Sequence, residues 1–261
     1  MSVYIISDLH IYSAEDPIYR ALLSLIEEKP KQGDDLILAG DIFDLFIGGK
    51  KIFKERYQLF FDELEKAIHR GVEVHYIEGN HDFLLKDAFY SFQKVKIHEE
   101  SVTLNRSGKR FLVAHGDLAN HQDYGYRITR WFFRSLFFKF LFMVIPGHWI
   151  DCIGKFLSQK SRDHHPVLFT DLPVDEQNSI RKIYRNFAAE KIVEGFDFVV
   201  MGHCHDLDEK NFQVAGRSGQ YINVGFPRVH GTYLVWSSEF VPVSSKIHRE
   251  PIPGYLFSHR R

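Results

Sequence analysis

Five times along this chain an apolar, largely β-branched run ends in a short polar cluster, and the clusters together offer oxygen and imidazole donors. Val3-Tyr4-Ile5-Ile6 leads to Asp8-Leu9-His10, Leu36-Ile37-Leu38 to Gly40-Asp41, and the run 72–77 to Gly79-Asn80-His81-Asp82. Phe111-Leu112-Val113 leads to His115-Gly116-Asp117, and Phe198-Val199-Val200-Met201 to Gly202-His203-Cys204-His205. A strand ending in a polar tip, repeated in order, is how an α/β scaffold gathers ligands at the carboxyl ends of its strands. One Asp-x-His at a strand end is usually structural, but five such tips in succession point to a common site. Asp8, His10, Asp41, Asn80, His115, His203 and His205 make the candidate ligand set, and it suits two divalent first-row cations sharing a carboxylate.

The spacing assigns roles within that set. Asp8 and His10 are two apart, so an extended tip would point both to one side, and His203 and His205 repeat the arrangement. A carboxylate can bridge two ions where a neutral imidazole cannot, which makes Asp41 the expected bridge and a catalytic residue. One ion is expected on Asp8, His10, Asp41 and His205, the other on Asp41, Asn80, His115 and His203, with an acidified water attacking phosphorus in line. His81 adjoins a ligand; as an imidazolium it could steady developing charge or protonate a leaving oxygen, or it could simply support the ligands. Asp44, Asp82 and Asp117 are expected to hydrogen-bond backbone or a ligand histidine. Cys204, between two ligands, is expected to point away as a space-filler.

A chain of 261 residues suits one large α/β domain, read here as 1–261. Its 33 basic and 34 acidic residues nearly cancel, so no global field favours nucleic acid. Two cysteines, Cys152 and Cys204, argue against a disulfide framework and for a reducing compartment. The first residues enter a strand without a basic n-region or long apolar core, so a cytoplasmic protein is expected. Periodicity predicts helices over 16–28, near 53–69 and over 175–194, a hairpin over 101–114, and short β runs at 220–224, 229–236 and 240–248.

Residues 120–172 form an insertion that the strand–helix alternation does not require. Its centre runs from Trp131 to Pro146 and is dense in Phe, with Arg134 and Lys139 interrupting it, so the uncharged stretch falls short of the ~20 residues that span a bilayer. Such a segment is either a buried helical hairpin or a lining for a lipid, or it touches a membrane beside Arg127, Arg130 and Arg134. On the second reading Phe137, Phe138 and Phe142 are candidate substrate contacts.

Asp-x-His, Gly-Asp, Gly-Asn-His-Asp, His-Gly-Asp and Gly-His-x-His in this order resemble the calcineurin-like metallophosphoesterases. Within them the chain most resembles the UDP-2,3-diacylglucosamine diphosphatases of lipid A synthesis, through the segments 5–10, 40–48, 79–85 and 115–117 with Asp123 and Tyr126 beyond. The resemblance implies a β-sandwich flanked by helices, with 120–172 as a helical lid carrying Ser158, Lys160, Ser161 and Arg162. It further implies a manganese-dependent enzyme (iron or zinc being the alternatives), peripheral to the inner membrane, that cleaves UDP-2,3-diacylglucosamine to UMP and 2,3-diacylglucosamine 1-phosphate. Asp123, Ser161 and Arg162 then become substrate-binding candidates. The chain departs from the family's best-known members in having His81 where they have Arg, and in lacking the Thr and Arg-Pro of the last motif. A phosphodiesterase or phosphatase for a soluble nucleotide or other phosphoester, and a non-catalytic interaction protein on the same scaffold, are the competing readings.

Overall fold

The computed structural model describes residues 1–90, 92, 94–153 and 168–237, and the backbone of 240–246. Strands β1 (Ser2–Ile6), β2 (Asp35–Ala39), β4 (Glu73–Ile77) and β6 (Val95–His98) run parallel. β12 (Thr232–Ser237) joins β1 antiparallel and β13 (Phe240–Lys246) joins β12, giving the order β13-β12-β1-β2-β4-β6. A second sheet has β8 (Lys109–Ala114), β9 (Phe198–Met201) and β11 (Arg217–Val224) parallel. β7 (Ser101–Arg106) and β10 (Leu207–Val214) form its antiparallel edges, in the order β10-β11-β9-β8-β7. A small parallel pair joins β3 (Phe46–Ile47) to β5 (Asp82–Phe83), which the short helix α4 (Leu85–Ala88) follows.

The period of two along each strand sorts the core into layers. Val3, Ile5, Ile37 and Ile77 face Val102, Phe111, Val113, Val200 and Ile222 between the sheets. Their neighbours Ile6, Leu36, Leu38, Val74 and Tyr76 turn the other way, onto α1 (Pro17–Glu28) and α3 (Gln58–His69). On the far side Leu112, Val199, Met201 and Tyr221 meet Tyr184, Ala188 and Ile192 of α8 (Val174–Val193). The result is helix, sheet, sheet, helix, the β-sandwich flanked by helices.

Three elements differ from the sequence reading. The helix expected near 53–69 is two, α2 (Lys51–Arg56) and α3, because Tyr57 leaves helical geometry and buries its ring 4.1 Å from that of Phe43. The run expected as strand over 229–236 opens in the short helix α9 (Pro227–His230), closed by Gly231 in the left-handed region. β10 carries too many polar residues for alternation to reveal it. Of the run 240–248, Phe240–Lys246 is a strand and the rest lies outside the described residues.

The insertion is helical but broken. α5 (Tyr124–Arg134) ends at Ser135, whose extended backbone turns the chain and whose Oγ accepts from Phe138 N at 3.2 Å to start α6 (Leu136–Val144). α7, described over Gly147–Ile153, meets α6 at a bend of 110°. Among the described residues no single helix is long and apolar enough to cross a membrane. Ser158, Lys160, Ser161 and Arg162 lie outside the described residues.

Candidate metal centre

Asp8, His10, Asp41, His203 and His205 all sit at left-handed φ, at 57°, 45°, 52°, 69° and 58°. That corrects the expected geometry: the pairs Asp8/His10 and His203/His205 do not leave their strands extended. A non-glycine residue there costs on the order of 1–3 kcal/mol and persists where the surroundings over-determine it. Hydrogen bonds do so here. Asp8 N donates to Gly40 O at 3.1 Å and His10 N to Asp41 O at 2.9 Å. His203 N donates to both oxygens of the Asp8 carboxylate, at 3.0 and 2.9 Å. The Asp82 carboxylate accepts from the backbone of Asp41 (2.9 Å), Ile42 (2.7 Å) and Gly79 (3.0 Å) and from the Tyr76 hydroxyl (2.7 Å). Two glycines are demanded by close approach: a Cβ on Gly79 would overlap Asp41 Oδ1, and one on Gly202 would overlap the Ser7 and Asp8 side chains.

The structure brings all seven candidate ligands together, in two groups that share Asp41. In the first, His205 Nε2 lies 3.5 Å from Asp8 Oδ1 and 3.1 Å from His10 Nε2, which is 3.7 Å from Asp41 Oδ2. In the second, His115 Nε2 lies 3.4 Å from that same Asp41 Oδ2, 3.1 Å from His203 Nδ1 and 3.1 Å from Asn80 Oδ1. His115 Nδ1 donates to Ala39 O at 3.0 Å, which turns the Nε2 lone pair inward in the neutral ring. Carboxylate, amide and imidazole atoms of several side chains thus converge within a few ångströms, a donor set that fits a divalent cation. Asp8 and His115 are fully buried, and Asp41 and His10 nearly so.

The electrostatics agree. Burial opposes charge on Asp41, yet the rings of His115, His81 and His10 hold its carboxyl well below the ordinary carboxylate range. Burial also works against a charged His115, but Asp41 pushes that imidazole up to about 10, so the pocket favours positive charge. Burial, with His115 alongside, takes His203 down to about 4, and burial with His81 alongside takes His10 well below its ordinary value, keeping both neutral as ligands require. Asp82 rises to about 7 through burial and the Asp41 charge.

His81 sits at the mouth of this cluster, its side chain 30% exposed. Its amide donates to Asp41 Oδ1 at 2.9 Å, its Nδ1 lies 2.9 Å from Asp44 O, and its ring meets His10 edge-on at 4.8 Å. Burial opposes its charge, but Asp41 and Asp44 raise its pKa, which favours the imidazolium. Asp82 hydrogen-bonds backbone as expected. Asp117 instead takes the Tyr126 hydroxyl and Arg130 Nε (3.0 Å) from α5. Cys204 packs with the α8 cluster, away from the ligands, and its sulfur accepts from Asn223 Nδ2 at 3.1 Å.

Sequence reasoning missed Arg228. It is 3% exposed, donates to Leu9 O (2.8 Å) and His10 O (2.6 Å), and pairs with Asp16, so it fastens the first ligand loop from the far end of the chain. No local pattern marks it. The ring of Phe226 stacks on His205 at 4.3 Å, another contact without a sequence signal.

Two expectations for the insertion change. Arg130 and Arg134 face the candidate-ligand loops, Arg130 on Asp117 and Arg134 on Gly79 O (2.9 Å) and Glu78 (3.4 Å), where they serve the loops as ion-pair and hydrogen-bond partners. Phe137, Phe138 and Phe142 do not form one patch. Phe142 is 7% exposed in the core, Phe138 is half-buried against it, and Phe137 is 65% exposed. Asp123 caps α5 by accepting from Tyr126 N at 2.9 Å.

The sequence pattern of the calcineurin-like phosphoesterase family matches residues 1–207, and the chain belongs to that family. It is a metal-dependent hydrolase with a divalent-metal site. Within the family it is similar to a UDP-2,3-diacylglucosamine hydrolase of Aeromonas salmonicida, 30% identical over 97% of this chain and 95% of that one. A UDP-2,3-diacylglucosamine hydrolase of Nitrosococcus oceani is 25% identical over 86% of this chain and 87% of that one. Among solved structures, a single mutant of Vps29 from Entamoeba histolytica overlaps with a TM-score of 0.41 at 14% identity, covering 91% of this chain and 86% of that one.

Proposed function

We propose that this protein hydrolyses the pyrophosphate of a nucleotide-linked lipid, UDP-2,3-diacylglucosamine, to UMP and 2,3-diacylglucosamine 1-phosphate at the cytoplasmic face of the inner membrane. The observation that supports this most is a juxtaposition: α5 contacts the metal-centre loops through one face and exposes Ile128 (67%) and Trp131 (72%) on another. A soluble substrate would give those apolar side chains nothing to do. The hydrolases of A. salmonicida and N. oceani, named for this substrate, support it further.

In this reading Asp8, His10, Asp41 and His205 hold one divalent ion, manganese by preference, and Asp41, Asn80, His115 and His203 hold the other. When bound, the pair polarises a phosphoryl oxygen and acidifies a water. The chain does the rest. Asp41 ties the two ligand groups through Oδ2, while its Oδ1 fixes the His81 amide. His81, oriented by Asp44 O, presents a cationic ring to the phosphates and can deliver a proton to the departing phosphate oxygen. Phe137 and the exposed aromatics of α5 and α6 meet the acyl chains or the bilayer, with Asp123, Phe138, Ser161 and Arg162 as further substrate-binding candidates, while the buried Phe142 anchors α6 to the core.

The test is hydrolysis of UDP-2,3-diacylglucosamine in mixed micelles with added manganese, iron or zinc, products read by mass spectrometry. UMP and the lipid 1-phosphate in equal amounts, lost on chelation, is the expected result. Cleavage of soluble nucleotide esters with the lipid nucleotide untouched would overturn the lipid assignment.

A further inference from the structure

Tyr126, Arg130 and Arg134 follow one another at one-turn intervals and so form a stripe along α5. Each ends on a loop that carries a candidate ligand. The Tyr126 hydroxyl and Arg130 Nε both donate to Asp117 Oδ2, the latter at 3.0 Å, and Asp117 stands just beyond His115. A turn later Arg134 Nη2 donates to Gly79 O at 2.9 Å and its Nε faces Glu78 Oε2 at 3.4 Å, immediately before Asn80. The other Glu78 oxygen accepts from Leu85 N at 2.7 Å, so this carboxylate clips both ends of the 78–85 loop. At the centre itself, His115 and Asn80 touch at 3.1 Å. One helix therefore spans, from behind, the same two loops whose side chains meet in front.

The pairs concerned are enclosed: Asp117 and Glu78 side chains are 3% and 2% exposed, Arg130 and Arg134 10% and 12%. A buried carboxylate holds its place only while its partner does, because an unpaired charge there is strongly unfavourable. We propose that α5 is a strut for the metal centre, with Arg130 and Arg134 as positioning residues that fix His115 and Asn80 relative to each other. The inference rests on the reading of this cluster as the hydrolytic metal site, but not on the lipid.

The experiment compares full-length wild type with Arg134→Met and Arg134→Lys. Manganese affinity is measured by calorimetry, kcat and KM with bis-p-nitrophenyl phosphate, and backbone hydrogen exchange over 78–82 and 115–118 in the metal-free protein. Outer contacts of this kind are worth roughly 10–100-fold in metal affinity or activity. Arg134→Met should lose that much affinity and kcat with KM little changed, and exchange in both loops should quicken. Arg134→Lys should recover part of the loss, since an ammonium can donate to Gly79 O but lacks the fork that also faces Glu78. Wild-type affinity, kcat and exchange in Arg134→Met, whatever its melting temperature, would overturn the proposal by making α5 a fastened lid and nothing more. If that variant does not fold, the double variant Glu78→Gln, Arg134→Met leaves no buried charge unpaired there, and unchanged affinity in it overturns the proposal equally. Absence of metal-dependent diester hydrolysis in wild type would overturn the proposed function, while the affinity and exchange arms still decide on the strut.

Discussion

The loops of the metal centre and the helices of the insertion invert each other's chemistry. In the loops, carboxylates and imidazoles are buried: Asp8 and His115 are wholly enclosed, on or beside backbone in the left-handed region. In the insertion, relaxed helices hold Leu136 83% and Phe140 65% exposed. Each arrangement runs against the ordinary preference of its residues, and each is held by something else. The loops are held by two packed sheets and a lattice of backbone hydrogen bonds. The insertion is held by the polar stripe of α5 and by Phe142, inserted beside Gly48 and under Lys50. The polar interior fits a divalent cation, and the apolar exterior is the face that the proposed lipid contact would cover.

The most severe way to break the comparison is at its polar centre. Asp41→Ala should abolish turnover and empty both halves of the site, whereas His10→Ala should leave a weakened but measurable enzyme. Metal content per chain, measured beside turnover, checks this, and near-full occupancy without Asp41 would end its bridging role. At the mouth of the site, His81→Ala should lower kcat by roughly 10²–10⁴-fold with metal content little changed. His81→Arg should retain more activity if the task is to hold charge, and no more than Ala if it is to deliver a proton. Equal, near-wild-type rates in both would make the ring a bystander.

Within the insertion, two phenylalanines sharpen the contrast. Phe142→Ala opens a hole in the core and should cost about 3–5 kcal/mol, lowering both the melting temperature and every activity. Phe137→Ser, on the open face, should leave stability within ~0.5 kcal/mol of wild type while raising KM for a diacylated nucleotide sugar. If both behave as core mutations, the exposed face is not a lipid contact. The smallest effect lies away from both regions. Burial, with His75 and Lys96 nearby, takes His98 from 6.5 to about 4. The folded state therefore favours the neutral ring, so this contribution to stability is complete above pH ~6.5 and is lost as pH falls from there toward 4. His98→Gln should flatten that part of the melting-temperature profile, and superimposable profiles would refute the assignment.

Much of the scaffold was legible because its signals are local. The strand read from the apolar run 36–38 and the helix predicted over 16–28 match β2 and α1 to within a residue, as the predicted helix 175–194 matches α8, since periods of 2 and 3.6 are written in neighbouring residues. The Ser107-Gly108 turn of the 101–114 hairpin was visible for the same reason, both residues taking positive φ. The break at Tyr57 was not, because a helical stripe continues across it and only the pocket beside Phe43 pulls the ring inward. Nor was the split among Phe137, Phe138 and Phe142, identical residues whose burial depends on which side of α6 meets the core.

What the sequence by itself determined is the identity of the donors and their place at the strand tips, since each is written within a few residues of the strand that carries it. Only the tertiary structure decided how they meet. His10 faces His205 across 195 residues, at 3.1 Å, because two sheets close their tips together. The left-handed turns that aim the two rings at each other follow from hydrogen bonds between separate loops, as do Arg228 behind His10 and Arg134 behind Asn80. A pattern in one stretch of chain fixes which side chains stand at an end. Their directions depend on partners brought there by the packing of the whole fold.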